Sequence, residues 1–355
     1  MSSYAPPNDS DPSLGDVANL ISRRPFKPHP LLRGGHAQTV AGWAWPRPWW
    51  LKTLRAHTKD EERLFEVKPG VRLLGHCRWQ ENRSSQPALV LVHGLGGSDA
   101  SAYVMGTTEL AYQAGMNVVR LNQRNCGGTE HLTPTLYHSG LSGDLCAVVA
   151  ELLDRDRLPG VLLAGFSMGG NLALKMAGEL GGEVWPSRLR VCAISPPIDL
   201  SETARHLEHP SNRLYQWRFV KGLKRMMLRK KELYPKLYDL RALKRIRTVR
   251  QFDELYTAPH GGFSDAEDYY AKSSALPLLA KIRALTLILH ARDDPLVPLA
   301  PFLRTEAREN PNVLMVTPHH GGHVGFVSGE GKAGRFWAES IVVKFCHALL
   351  GALAF

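Results

Sequence analysis

From Ala88 onward the chain alternates between two textures. Short, nearly unbroken apolar runs occur at ALVLVHG (88–94), MNVVRLN (116–122), GVLLAG (160–165), LRVCAIS (189–195), LTLILHA (285–291) and NVLMVTP (312–318). Between most of them lie longer segments with apolar residues three and four positions apart. Runs this short and this rich in Val, Leu and Ile predict parallel strands covered on both faces. The periodic segments between them predict helices that cross over from one strand to the next. Ahead of this pattern, Glu62–Val67 and Val71–Trp79 read as two further strands, with Pro69-Gly70 as the turn between them. The fold class is therefore α/β: a mostly parallel central sheet with helices on both faces.

Two stretches break the rhythm. About ninety residues separate LRVCAIS from LTLILHA, too many for one crossover, and about 197–284 reads as a helical cap inserted over the C-terminal edge of the sheet. Residues 1–30 read as a flexible arm, leaving 31–355 as one domain. The segment HPLLRGGHAQTVAGWAWPRPWWL then concentrates Trp43, Trp45, Trp49 and Trp50. These either pack with the prolines beneath the domain or anchor it at an interface. The final segment, IVVKFCHALLGALAF, reads as a packed C-terminal helix.

Composition narrows the class. A length of 355 residues suits one large α/β domain, and 44% apolar with 22% charged residues reads as globular. Cys77, Cys126, Cys146, Cys192 and Cys346 are odd in number, scattered and without a CxxC. That argues against a disulfide framework or a zinc cluster and for a reducing compartment, so the expected location is cytoplasmic. MSSYAPPNDSDPSLGD lacks the apolar core of a signal peptide, and no apolar run reaches the length of a membrane span.

The net charge of +11 is uneven: Arg213 to Arg250 holds fourteen Lys or Arg against Glu232 and Asp239. The cations are mixed with Leu, Met, Tyr and Trp at helical spacing. This predicts a solvated outer face on cap helices, or a weak peripheral contact with anionic membrane through 213–250. Nucleic acid is not expected as a partner, because no reading module accompanies the charge.

Against this frame the candidate chemistry stands out. GFSMGGN (165–171) follows a buried-strand pattern and opens a helical one. A sharp strand-to-helix turn strains its apical residue and needs small neighbours, here Gly165 and Gly169 around Ser167. Ser167 is the candidate nucleophile, and the Met168 N–H at the helix start is a candidate oxyanion donor. The Leu95 N–H, in HGLGGS after the run at 88–92, is the second. His93 is expected to brace that loop. A nucleophile needs a base and the base an orienting acid. ARDDPLVP supplies Asp293 and Asp294 just past a strand end, and Asp294, next to Pro295, is preferred. HHGGHVGF supplies His319, His320 and His323. His323 is preferred as the base, because Gly321 and Gly322 let its loop curl toward the serine. The same glycines work against zinc binding by the three histidines, so no metal or cofactor is expected. The order Ser…Asp…His is that of the α/β-hydrolase fold.

Taken together, HPLLRGGHAQTV, VHGLGGS, NQRNCGGT, YHSG, GFSMGGN, HARDDPLVP and GGHVGF, running from about residue 29 to 328, resemble the YheT-like branch of the α/β-hydrolase superfamily. The resemblance implies a serine esterase acting on small-molecule carboxylic esters, with relatives that take medium-chain acyl esters or phospholipids. It places nucleophile, acid and base at Ser167, Asp294 and His323. Animal relatives often carry an N-terminal membrane anchor, which this sequence does not show. Acyl transfer by the same residues, or a silent fold that binds an acyl ligand or a partner, are the alternatives. The GGHAQT segment belongs to the family pattern, but the sequence offers no physical role for it.

Overall fold

The computed structural model describes residues 13–45, 60–182, 185, 187–304, 309–331 and 334–350. Residues 1–12 of the expected arm, and Trp49 and Trp50, lie outside the described residues. The strands are β1 Glu61–Lys68, β2 Val71–Arg78, β3 Ala88–Val92, β4 Asn117–Leu121, β5 Val161–Phe166, β6 Leu189–Ile194, β7 Leu285–Leu289 and β8 Val313–Val316. The helices that matter below are α1 Leu14–Arg23, α2 Gly35–Ala44, α3 Ala102–Gln113, α4 Ser142–Ala150, α5 Met168–Leu180, α6 Leu200–Leu207, α7 Arg213–Leu233, α8 Ala266–Ser273 and α9 Trp337–Leu350.

Among the described residues the strands form one sheet in the order β1-β2-β4-β3-β5-β6-β7-β8. β1 and β2 form an antiparallel hairpin through Pro69-Gly70, and β2 runs antiparallel to β4. From β4 to β8 every neighbouring pair is parallel. The order reverses at β3, which leads to β4 on one side and lies beside β5 on the other. Loops leaving β3 and β5 therefore part in opposite directions and leave a crevice at the C-terminal edge, where α/β sheets bind ligands.

Successive residues of a strand point to opposite faces, so each central strand must be apolar on both. Val90, Val92, Leu163 and Val191 join Leu145, Val148 and Leu172 of α4 and α5 in one buried cluster. Leu89, Leu91, Leu162 and Cys192 join Val104 of α3 and Ile341, Val342 and Phe345 of α9 in the other. The expected C-terminal helix is thus packed against the sheet through Ile341, Val342 and Phe345, and its last residues, 351–355, lie outside the described residues.

Residues 14–23, within the expected arm, form α1. Ser13 caps α1 in a reciprocal capping box with Asp16, and α1 buries Val17 and Ile21 in the same cluster as α9. Trp43 also departs from the packed reading: it is 62% exposed on α2, with the Arg218 guanidinium 4.0 Å above its ring.

Between β6 and β7 the regular structure is helical: α6, α7 and α8 with short helical turns between them. Asp199 and Asp265 cap α6 and α8. α7 buries Val220, Leu223, Met226 and Met227, and its opposite face exposes Leu214, Trp217 and Leu228. Lys230, fully buried, donates to the carbonyl oxygens of Glu130 and Thr133, tying α7 to the loop after β4. Among the described residues no helix is long and apolar enough to cross a membrane.

Candidate active site

Ser167 sits between β5 and α5 at φ 52° and ψ −123°, a region that costs an L-residue on the order of 1–3 kcal/mol. The turn closes only because its neighbours lack side chains. A Cβ on Gly165 would lie 2.1 Å from the Gly169 carbonyl oxygen, and one on Gly169 would lie 2.5 Å from that of Val92. Such contacts leave no room for alanine at either position.

The structure brings Ser167, His323 and Asp294 into one line. His323 Nε2 is 2.9 Å from Ser167 Oγ, and His323 Nδ1 is 2.9 Å from Asp294 Oδ2. The other oxygen of Asp294 accepts from the N–H groups of Leu296 and Val297, at 2.8 and 3.0 Å. Burial opposes the charge of Asp294. The His323 imidazole and the N–H of Val297 outweigh it and hold the carboxyl below its usual range. Behind it lies His290, buried, stacked on Phe302 with ring centroids 4.0 Å apart, and 3.9 Å from Asp294 Oδ2. Burial pulls the His290 pKa down to about 4, which leaves its imidazole neutral.

Asp293 and His320 stand apart from this line. Asp293 Oδ1 accepts from the Gly322 N–H at 2.9 Å, and its other oxygen lies 3.2 Å from His320 Nδ1. Asp293 thus braces the histidine loop through its backbone. His319 borders a separate cleft between α1 and β8.

Leu95 and Met168 line the same cavity as Ser167 and His323. Among the described residues their backbone N–H groups meet no acceptor. The loop bearing Leu95 is braced on both sides. Tyr103 and Tyr137 hydroxyls accept from the N–H groups of Gly94 and Gly96, at 3.0 and 3.3 Å. His93 sits beneath, its Nδ1 2.8 Å from the Gly94 carbonyl and its Nε2 accepting from the Gln123 N–H. Complete burial pulls the His93 pKa to about 4, so this imidazole is a neutral strut. Phe219, Leu223, Phe252 and Leu207 of the cap supply much of the cavity's apolar wall.

The GGHAQT segment, which had no role in the sequence, forms α2 and clamps the histidine loop. Thr39 Oγ1 accepts from the backbone N–H of His323 at 2.8 Å. Gln38, fully buried, donates to the carbonyls of Leu32 and Val327 and accepts from the Val327 N–H. Gly42 lies against Gly325 so closely that a Cβ would come within 2.6 Å of the Gly325 Cα. His36 stacks on Tyr215 of the cap helix α7 and reaches its hydroxyl at 3.1 Å. Ser195, after β6, adds a hydroxyl that accepts from the Val324 N–H at 3.1 Å. The available signal was the pairing of GGHAQT with GGHVGF. Residues 284 positions apart cannot be matched by spacing alone.

Comparison with known proteins agrees with this architecture. The model of the alpha/beta hydrolase family matches residues 89–333. The chain is 34% identical to YheT of Escherichia coli over 279 residues, 77% of this chain and 81% of that protein. It is 32% identical to the monoacylglycerol lipase of Saccharomyces cerevisiae over 273 residues, 74% of this chain and 59% of the lipase. The solved structure of the Pyrococcus furiosus esterase Pf2001 matches with a TM-score of 0.55 and 19% identity, over 86% of this chain and 99% of that one, a likeness of fold. With the family model spanning most of the chain, and YheT similar over three quarters of it, the chain belongs to the alpha/beta hydrolase family.

Proposed function

We propose that this chain is a carboxylic ester hydrolase in which Ser167 is the nucleophile, His323 the general base and Asp294 the orienting acid. The observation that carries the reading is the hydrogen-bonded line Ser167–His323–Asp294, opening into an apolar cavity. Relatives named monoacylglycerol lipase and phospholipase ABHD3 support ester substrates of lipid type.

Ser167 Oγ attacks the acyl carbonyl while its proton passes to His323 Nε2. The N–H groups of Leu95 and Met168 receive the oxyanion of the tetrahedral intermediate. Asp294 holds the Nδ1–H tautomer and balances the imidazolium. The alcohol leaves with the proton from Nε2, and water activated by the same nitrogen hydrolyses the acyl-enzyme. The apolar wall from the cap receives an acyl chain of short to medium length.

Labelling by a fluorophosphonate probe tests the nucleophile. The parent takes the label, and Ser167→Ala takes none and loses ester turnover by about 10⁴-fold or more. A parent that neither labels nor cleaves esters would leave the fold as a binder of acyl ligands. Added ethanol separates hydrolysis from acyl transfer, since a transferase makes the ethyl ester at the expense of free acid.

A second proposal rests on the outer face of α7. Leu214, Trp217, Arg218, Lys221, Arg225 and Leu228 are all exposed there, and Trp43 of α2 adjoins them under Arg218. Cations interleaved with exposed Trp and Leu suit peripheral contact with an anionic lipid surface. The same helix walls the cavity with Phe219 and Leu223. Contact through α7 would therefore bring the pocket to its lipid esters.

A further inference from the structure

The cavity above Ser167 is mostly apolar, yet a carboxylate is buried in its cap wall. Asp253, Thr257 and Tyr270 all border this cavity. Asp253 Oδ1 accepts from the Thr257 hydroxyl at 2.7 Å, and Oδ2 accepts from the Tyr270 hydroxyl at 2.9 Å. Asp253 is only 8% exposed, and among the described residues no Lys, Arg or His forms an ion pair with it. Each oxygen of an ionised carboxylate offers about two lone-pair directions. Thr257 and Tyr270 take one on each oxygen, so the carboxylate at the cavity wall keeps the capacity to accept from a further donor.

A buried carboxylate without a cation is costly to keep. Burial pushes the Asp253 carboxyl up to about 6, against the pull of the Thr257 and Tyr270 hydrogen bonds. An apolar or amide side chain would serve better if this wall only held cap helices together. What a carboxylate adds is the ability to accept strong hydrogen bonds from a group inside an otherwise apolar pocket.

We propose that Asp253, set by Thr257 and Tyr270, forms a specificity subsite for a hydrogen-bond donor, a hydroxyl or a protonated primary amine, carried by the ester substrate away from its scissile bond. This rests on the reading of Ser167 as the nucleophile of an ester hydrolase. It deepens that reading: the preferred substrate is a bifunctional ester with an apolar chain linking the acyl carbonyl to a donor group.

The test is a series of p-nitrophenyl esters of straight-chain acids with about four to ten carbons. Each length is made with a terminal methyl, hydroxyl, ammonium or trimethylammonium group. In a purely apolar pocket a terminal hydroxyl lowers kcat/KM, because its desolvation is not repaid. The subsite predicts the reverse: at one chain length the hydroxyl or ammonium ester exceeds the methyl ester by at least about 10-fold in kcat/KM. Asp253→Leu brings that ratio below one. Tyr270→Phe, which keeps the carboxylate and frees a lone pair, retains or raises it. Tyr270→Phe also guards against a Leu variant that does not fold. A methyl ester preferred at every length overturns the proposal. So does an ammonium preference that trimethylammonium matches while the hydroxyl ester gains nothing, which would indicate charge rather than donation. Calorimetric binding of the same esters to Ser167→Ala separates the two readings. Donor-dependent binding without turnover in the parent removes the hydrolase and keeps the subsite. Fast turnover with donor-independent binding does the opposite.

Discussion

Asp293 and Asp294 are adjacent carboxylates that the fold sends to different tasks. Asp294 is held below the usual carboxylate range beside His323, whereas Asp293 bonds the Gly322 backbone and His320. Asp294→Asn removes the group that fixes the imidazole tautomer, and kcat should fall by about 10⁴-fold. Asp293→Asn keeps an oxygen for the Gly322 N–H, and its loss should stay within about 10-fold. Steady-state kinetics of the two variants reads the difference directly. Asp253 makes a prediction of opposite sign. Its pKa is raised in the folded chain, so its stabilising contribution is complete below the unfolded value and is lost as pH rises through about 6. Asp253→Asn should therefore gain stability over the parent between pH 4 and pH 7, by up to about 3 kcal/mol. Thermal melts at the two pH values check this; a gap that does not widen with pH contradicts it. Ser167, Asp294 and His323 were legible as candidates because strand, turn and chain order constrain each one locally. Asp253 and His290 were not, because an isolated acid in a helix and a histidine ending a strand look like ordinary surface and core residues.

At the level of elements, the central strands β3 to β7 were readable because burial on both faces keeps most of their positions apolar, with Asn117, Arg120, Arg190 and Thr286 as the polar exceptions. Strand order was not, since every central strand carries the same apolar texture and only packing arranges them. The least legible element was α2. Its partners in the histidine loop lie nearly 300 positions away, and its contacts run through backbone groups that carry no residue signature. Thr39→Val deletes the acceptor for the His323 N–H while keeping size. A loop displaced by an ångström costs about 100-fold in a well-oriented reaction. We expect kcat to fall about 10- to 100-fold in Thr39→Val with KM little changed, and Thr39→Ser to recover most of it. A loss in Thr39→Ser equal to that in Thr39→Val would mean that the methyl packing matters, not the hydroxyl.

On the scale of the whole molecule the charge becomes informative. The sequence located the excess of cations in 213–250 but could not say which way they faced. In the structure Arg218, Lys221, Arg225 and Arg229 are exposed on α7, and of the cations in this helix Lys230 alone is fully buried. Each Lys or Arg near an anionic bilayer contributes about 1 kcal/mol. Reversing Arg218, Lys221 and Arg225 to Glu should weaken sedimentation with phosphatidylserine vesicles by at least about 100-fold. Binding of the parent should fall with salt as screening shortens the reach of the charges. Equal partition of the parent to neutral and anionic vesicles would remove the lipid-surface proposal.

The clamp of α2 on the histidine loop also bears on how the enzyme comes into being on the ribosome. α2 precedes β1 to β8 in the chain, and the bonds of Gln38 and Thr39 to the histidine loop cannot form until residues 323–327 are synthesised. A nascent chain can complete the turn at Ser167 while the loop that would take its proton is still unmade. On the roles proposed for Ser167 and His323, hydrolysis waits until an early segment closes over a late one. A segment that precedes every strand of the sheet thus meets one that follows them all, and on those proposed roles a chain stopped short of residue 323 does not turn over esters.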